Sequence, residues 1–281
     1  MQKHEHIGGQ AVIEGVMMKS SRRITTAVRK KGKIFTKTKQ YKSLLERSKL
    51  FRLPVIRGII SLFEMLVVGI RSLNWSAKQF EGGEETIGAF ELTVTFALSI
   101  IATVLIFIVA PYYLTKIFVN QPSFTFNLID GGFRVAIFLL YLALIGMMKD
   151  IKRVFQYHGA EHKAVNCFEA HLKLTPENCQ KFSTVHVRCG TSLLVFVIII
   201  SILFFSLIHD PRWFVNIPLR ILFIPLIAGV SYELLKLSAK LKDCCFLSAL
   251  IAPGLWTQKL TTREPSKKQL EVAIAALKKV I

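Results

Sequence analysis

Residues 92–114 read LTVTFALSIIATVLIFIVAPYYL, 23 positions without a charged side chain. At ~1.5 Å of rise per helical residue, such a run exceeds the ~30 Å hydrocarbon core of a bilayer. It is read as a membrane span, and it sets the class: mainly α, a polytopic membrane helical bundle. Thr191–Ile208 adds 18 uncharged residues dominated by Leu, Val, Ile and Phe, a second span. Val135–Met148 gives 14 uncharged residues between Arg134 and Lys149, whose side chains can snorkel to lengthen it. A core helix or re-entrant segment is the competing reading of so short a run. Ile217–Leu237 is a further candidate that contains Arg220 and Glu233. The expectation is about four spans.

The charge distribution orients them. The chain has 37 Lys and Arg against 18 Asp and Glu, a net +19. Residues 1–57 hold 15 basic and three acidic side chains, and residues 236–281 hold nine and three. Lys149–Thr191 carries seven basic residues, while Thr115–Gly132 and His209–Asn216 carry one each. With four spans, the three basic-rich segments share one side, which the positive-inside rule makes cytoplasmic. The expected location is the cell inner membrane, multi-pass, with both termini cytoplasmic. The first 50 residues have no apolar core, so a cleavable signal peptide is not expected. Cys167, Cys179, Cys189, Cys244 and Cys245 all fall on the inner side, which favours thiols or metal ligands over disulfides.

This divides the chain into a basic N-terminal segment (1–52), an amphipathic or interfacial helix (53–91), a membrane bundle (92–237) with an inner-face segment at 149–191, and a C-terminal segment (238–281). In the first, Ile24–Arg29 and Ile34–Tyr41 flank a Lys-Gly-Lys turn and suit a β-hairpin; a basic arm attracted to anionic lipid is the alternative. In the second, Arg57, Glu64 and Arg71 recur every seven residues on one helical face. That helix lies along the inner surface or packs under the bundle; a buried helix paired with another is the competing reading. In the last, Pro265 and Ser266 open a helix through Val280, with Leu270, Ile274 and Leu277 on its apolar side.

Chemistry concentrates in the inner-face segment. His158, Glu161 and His162 form an HxxEH pattern, which on a helix puts two imidazoles one turn apart with a carboxylate beside them. This is the arrangement of the inverted zinc-protease motif, in which the carboxylate acts as base. A His pair satisfied by ordinary hydrogen bonds is the competing reading. His186 and Cys189 add an HxxC pair of zinc-compatible donors, and Glu233, within the fourth apolar stretch, needs a metal or an arginine. Arg188 or Arg153 would serve as that arginine. Glu169, seven residues after His162, is a competing ligand. Gly8, Gly9, Glu14 and Gly15 lie in GGQAVIEGVMM, a segment able to turn tightly, either a loop closing over a site or a turn entering a strand. It lacks the Lys and Ser/Thr of a phosphate-binding loop.

GGQAVIEGVMM, YHGAEHK, HVRCGTS, SYE, PGLWTQKLTTREP and EVAIAAL occur here in this order. Together they resemble the YqhQ family of bacterial membrane proteins, a group of unknown function described as predicted metal-dependent enzymes. The resemblance covers nearly the whole chain. It implies that His158, Glu161, His162, His186, Arg188, Cys189, Glu233, Glu14, Gly8, Gly9 and Gly15 are motif positions, and it implies no substrate. One departure is Val187, where HPRCG is expected; losing the proline loosens the loop and leaves His186 and Cys189 in place.

The leading expectation is a metal-dependent hydrolase. His158 and His162 hold Zn or another divalent metal, His186 or Glu233 completes the site, and Glu161 activates water. The alternative is a non-catalytic adaptor or scaffold, whose His/Glu cluster is structural and whose basic tails recruit anionic lipid, RNA or ribosomes. Aromatics suited to base stacking are scarce in the basic arm, which weakens the nucleic-acid option. A transporter has few intramembrane polar groups to use.

Overall fold

The computed structural model describes residues 7–80, 89–121, 123–208, 210–240 and 245–281. Four strands, β1 (Gly8–Val12), β2 (Gly15–Lys19), β3 (Arg23–Lys30) and β4 (Lys33–Gln40), form an antiparallel meander in sequence order. The hairpin expected near 24–41 is β3–β4. Its turn residues Lys31 and Gly32 both have positive φ (48° and 81°), which gives the sense of twist that antiparallel strands favour. The glycine-rich segment supplies a second hairpin, β1–β2, turning at Ile13 and Glu14 with Glu14 at φ 51°.

Among the described residues ten α-helices follow: α1 (Ile56–Phe80), α2 (Ala89–Val104), α3 (Ala110–Phe118), α4 (Phe124–Met147), α5 (Lys149–Glu169), α6 (Pro176–Gln180), α7 (Gly190–Phe205), α8 (Trp213–Lys240), α9 (Cys245–Thr261) and α10 (Lys267–Lys278). A π-helical turn, Leu105–Val109, joins α2 to α3. The central strands β2 and β3 are buried on both faces because apolar residues occupy adjacent as well as alternate positions, while β4 is largely exposed. Val12, Met17 and Val28 face α1, meeting Met65, Val68 and Trp75. Val16, Met18 and Ala27 face α5 and α10, meeting Tyr157, Ala160, Leu270 and Ile274. Helix α10 begins with a reciprocal cap between Ser266 and Gln269, and Leu270, Ile274 and Leu277 are buried.

Helix α1 is therefore wedged between the sheet and α8. Two of the three charges on its face are met by protein: Arg57 pairs with Glu233 on α8, and buried Glu64 accepts from Ser43 Oγ at 2.9 Å and from the Leu44 amide. Arg71 is exposed.

Among the described residues three stretches, Thr93–Phe118, Phe124–Met147 and Trp213–Ser238, are long and apolar enough to cross a membrane. They carry exposed apolar side chains such as Leu98, Leu140 and Leu222 at 61%, 60% and 73% exposure, a surface that water would not favour. Two differences from the expected spans stand out. The stretch expected at Val135–Met148 starts eleven residues earlier, because Arg134 does not snorkel at an end but lies buried inside α4, paired with Asp130 one turn away. The run expected at Thr191–Ile208 forms a helix of only 16 residues, about 24 Å long, which is short for a span. Helix α9, placed by sequence in a C-terminal tail, packs on α7 and α4. Cys244 and the junction at 81–88 lie outside the described residues.

Candidate metal centre

Helix α5 supplies the first donors. His158 and His162 stand on one face with ring centroids 4.4 Å apart. Each imidazole is fixed by a backbone carbonyl: His158 Nδ1 lies 2.9 Å from Thr261 O, and His162 Nδ1 lies 2.6 Å from Thr184 O. Since a carbonyl only accepts, both rings carry their proton on Nδ1 and keep a lone pair on Nε2, the usual orientation of a metal-ligating histidine. His158 Nε2 is 3.3 Å from Cys189 Sγ. Cys189 is the N-cap of α7, its sulfur accepting from the Thr191 amide. The donor atoms of His158, His162 and Cys189 all fall within 4.8 Å of one another.

Glu161 points to the same side, 3.9 Å from His162 Nε2. Burial pushes its carboxyl up to about 7, opposed by His158 and by the Gly9 amide that donates to it. Burial likewise holds His162 well below its ordinary value, reinforced by His158, and lowers His186 to about 4. The Cys189 thiol is raised to about 11 by burial, with Thr191 pulling the other way. The cluster thus sets imidazoles and a thiol kept protonated by burial around one buried acid.

Three supports position these groups. Gly9 lets β1 approach α5, since a Cβ there would meet Met17 O at 2.6 Å and Glu161 Cγ at 2.9 Å. Gly159 does the same for the strand of chain after α9, where a Cβ would sit 2.1 Å from Arg263 O. The loop that carries Thr184 is strapped to α5 by Lys163 Nζ on Gln180 O and by Asn166 Nδ2 on Ser183 O and Val185 O.

His186 borders the cluster, its ring centroid 5.8 Å from that of His162. The Gln258 side chain grips its backbone at both ends, accepting from His186 N and donating to His186 O, each at 2.9 Å. Its buried Nε2 has no hydrogen-bond partner; the nearest carboxylate oxygen, on Glu169, is 3.5 Å away. The Arg188 amide donates to His186 Nδ1 at 3.3 Å, which leaves that ring's proton on Nε2, so a zinc-type ion suits the two imidazoles of His158 and His162 and the Cys189 thiol, with His186 beside them.

Other sequence candidates are placed elsewhere. Glu233 is held by Arg57 through two hydrogen bonds, rather than joining the imidazoles or pairing with Arg153 or Arg188. Glu169 pairs with Arg188. Glu14 binds Arg153 and receives the Tyr157 hydroxyl at 3.3 Å, tying the β1–β2 turn to α5. Gly15 pairs with Val12 across that turn, and Gly8 opens β1. Gln258, Thr184 and Thr261 were not singled out from sequence. Gln258 and Thr261 lie in PGLWTQKLTTREP, one of the stretches that carry the family resemblance, which was the available signal.

A cavity of about 440 Å³ opens onto the cluster, lined by Gly8 to Ala11 of β1, Leu62 and Met65 of α1, the α5 donors, and Tyr232 and Leu235 of α8. The strand therefore does form one wall over the site, as a hairpin rather than a loop.

A family model described as "Protein of unknown function (DUF1385)" matches residues 53–281. The "Uncharacterized protein YqhQ" of Bacillus subtilis (strain 168) is 36% identical over 306 residues, which cover 100% of this chain and 95% of that protein. No solved structure matches. The motifs that run from the first hairpin to α10 are thus carried on a chain that belongs to the DUF1385 family and is a relative of YqhQ along its whole length.

Proposed function

We propose that this protein is a metal-dependent hydrolase of the cytoplasmic membrane, with its site at the inner face and both termini in the cytoplasm. The observation that carries the reading is the convergence of His158, His162 and Cys189 donors within 4.8 Å beside a buried carboxyl. His158, His162 and Cys189 would hold the ion, leaving a fourth position open, and His186 stands next to it. When bound, a zinc-type ion supplies Lewis-acid activation of a water and of a carbonyl or phosphoryl oxygen. Glu161, with an acidity near neutral, takes a proton from the attacking water and returns it to the leaving group. Thr184 and Thr261 keep the imidazoles in the donor tautomer, and Gly9 steadies the Glu161 carboxylate. The cavity shares Ile7, Gly8, Met65, Arg188 and Tyr232 with a neighbouring space of about 730 Å³, so the site can admit more than water.

Support for the membrane orientation is the concentration of basic residues in segments 1–57, 149–191 and 236–281, together with the three apolar helices. Elemental analysis of detergent-purified protein tests the metal. Wild type and Glu161→Gln should retain about one ion per chain, and His158→Ala should lose it. Mass spectrometry of membrane fractions should then reveal a substrate that accumulates with Glu161→Gln and not with wild type. Absence of stoichiometric metal overturns the proposal.

A second reading has its own support. The cluster already links α5, α7 and the end of α9 through hydrogen bonds. As a structural knot in a membrane scaffold, it would make His158→Ala unfold the protein while Glu161→Gln leaves it unaffected.

A further inference from the structure

Away from the metal centre, α4, α7 and α8 bury a second group of charges. Asp130 Oδ2 accepts from Arg134 Nη2 at 2.6 Å and from Arg220 Nη1 at 2.8 Å. Arg220 is well satisfied, donating to Asn216 Oδ1 at 2.7 Å and Asn127 Oδ1 at 2.9 Å, with its guanidinium over the Tyr112 and Phe205 rings. Arg134 is not. One of its nitrogens donates to Ser201 Oγ at 2.7 Å, and its buried Nε has no partner. Guanidinium does not give up its proton in proteins, so two cations face one carboxylate. All three side chains are less than a tenth exposed. Arg134 is the eleventh of 24 residues in α4, close to its middle. An excess positive charge at that depth of an apolar helix is costly, and such residues mark functional sites.

The excess charge borders a cavity. Arg134 and Ser201 stand at one end of a space of about 340 Å³ whose walls are otherwise largely apolar, among them Phe107, Phe138, Ile198 and Ile227. Arg134, Phe138 and Tyr141 follow one another along α4, so the space runs about two helical turns from the guanidinium. The π-helical turn Leu105–Val109 forms part of the wall through Phe107 and Ile108. π-turns widen a helix locally and recur at functional sites.

We propose that this cavity binds a single-chain amphiphile with an anionic head, of the fatty-acid type. The head accepts from the unpartnered Nε of Arg134, balancing the charge that Asp130 leaves over, and the chain enters the apolar space. Nη1 and Nη2 are taken by Ser201 and Asp130, and the Ser201 hydroxyl is itself spent on Ile198 O, so a carboxylate oxygen is matched to the one remaining charged donor. The volume lies at the small end of the ~300–1,000 Å³ typical of ligand pockets, which favours one chain over two. This site is separate from the metal centre and does not depend on catalysis there.

The test uses full-length protein purified in non-ionic detergent and stripped of lipid, probed with oleate, oleyl alcohol and inorganic phosphate by native mass spectrometry and thermal unfolding. One oleate should bind per chain and raise the unfolding midpoint, oleyl alcohol should bind at least tenfold more weakly, and phosphate alone should have no effect. Arg134→Met leaves Asp130 and Arg220 as a balanced pair and should lose oleate binding at least tenfold. Ile198→Phe, which fills the cavity without touching a charge, should lose it too. Equal binding of oleate and oleyl alcohol, binding of phosphate alone, or unchanged oleate affinity in Arg134→Met overturns the proposal. If Arg134→Met does not fold, Ile198→Phe decides, and unchanged binding there overturns it.

Discussion

The cluster around Glu161 and the charge cluster around Asp130 both bury polar side chains, by opposite means. Around Asp130 the groups are ions, two guanidiniums sharing one carboxylate oxygen, with one surplus cation. Around Glu161 the groups are imidazoles, a protonated thiol and an acid poised near pH 7, each imidazole tethered to a backbone carbonyl at Nδ1 and turning Nε2 toward the other donors. Ions that neutralise each other hold helices together, whereas neutral donors with fixed tautomers keep their lone pairs for a newcomer. The contrast explains why metal chemistry is proposed for one region and anion binding for the other.

The most severe way to break the contrast is Asp130→Ala. It leaves Arg134 and Arg220 buried without a counter-charge, a loss of ~3–5 kcal/mol. The expected result is protein that no longer elutes as a single species in detergent. His158→Ala comes next: it should lower zinc affinity at least ~100-fold while the chain stays folded, read by competition with a chromogenic chelator. A variant that unfolds instead would favour the structural knot. The pH dependence sharpens the same point. Burial keeps the Cys189 thiol protonated to about pH 11. A bound ion must displace that proton, so zinc affinity should fall about tenfold per unit of decreasing pH for each proton released. Affinity independent of pH between 6 and 8 would remove Cys189 from the ligand set.

Gly159→Ala should cost ~1–3 kcal/mol, since the new methyl would press on the Arg263 carbonyl and force α5 away from Thr261. Thermal unfolding measures the cost, and a parallel fall in zinc affinity would show that the two residues share one support. The smallest effect is expected at Ser266→Ala, which removes the α10 cap for ~1 kcal/mol and leaves metal binding unchanged.

The charge pairs also show why some of the fold was hidden. Hydropathy alone truncates α4 at Arg134, because it scores Asp130 and Arg134 as two penalties when they cancel one turn apart. The same holds for α8, where Arg220 is answered by Asp130 and Glu233 by Arg57, residues 90 and 176 positions away. Conversely, the uncharged run from Thr191 overstates its helix, which ends at Phe205 although apolar residues continue. Helix α9 was missed because Pro253 and Gly254 lie within it.

By itself the sequence determined the helical class, the β3–β4 hairpin, the capped final helix, and the pairing of His158 with His162. Each follows from periodicity or turn chemistry over a few residues. Tertiary structure alone decided that Cys189 joins the imidazoles, that Glu233 belongs to Arg57, and that Thr184, Thr261 and Gln258 orient the site. These are contacts between distant segments, set by which faces pack against which, and no local pattern encodes the partner of a buried polar group.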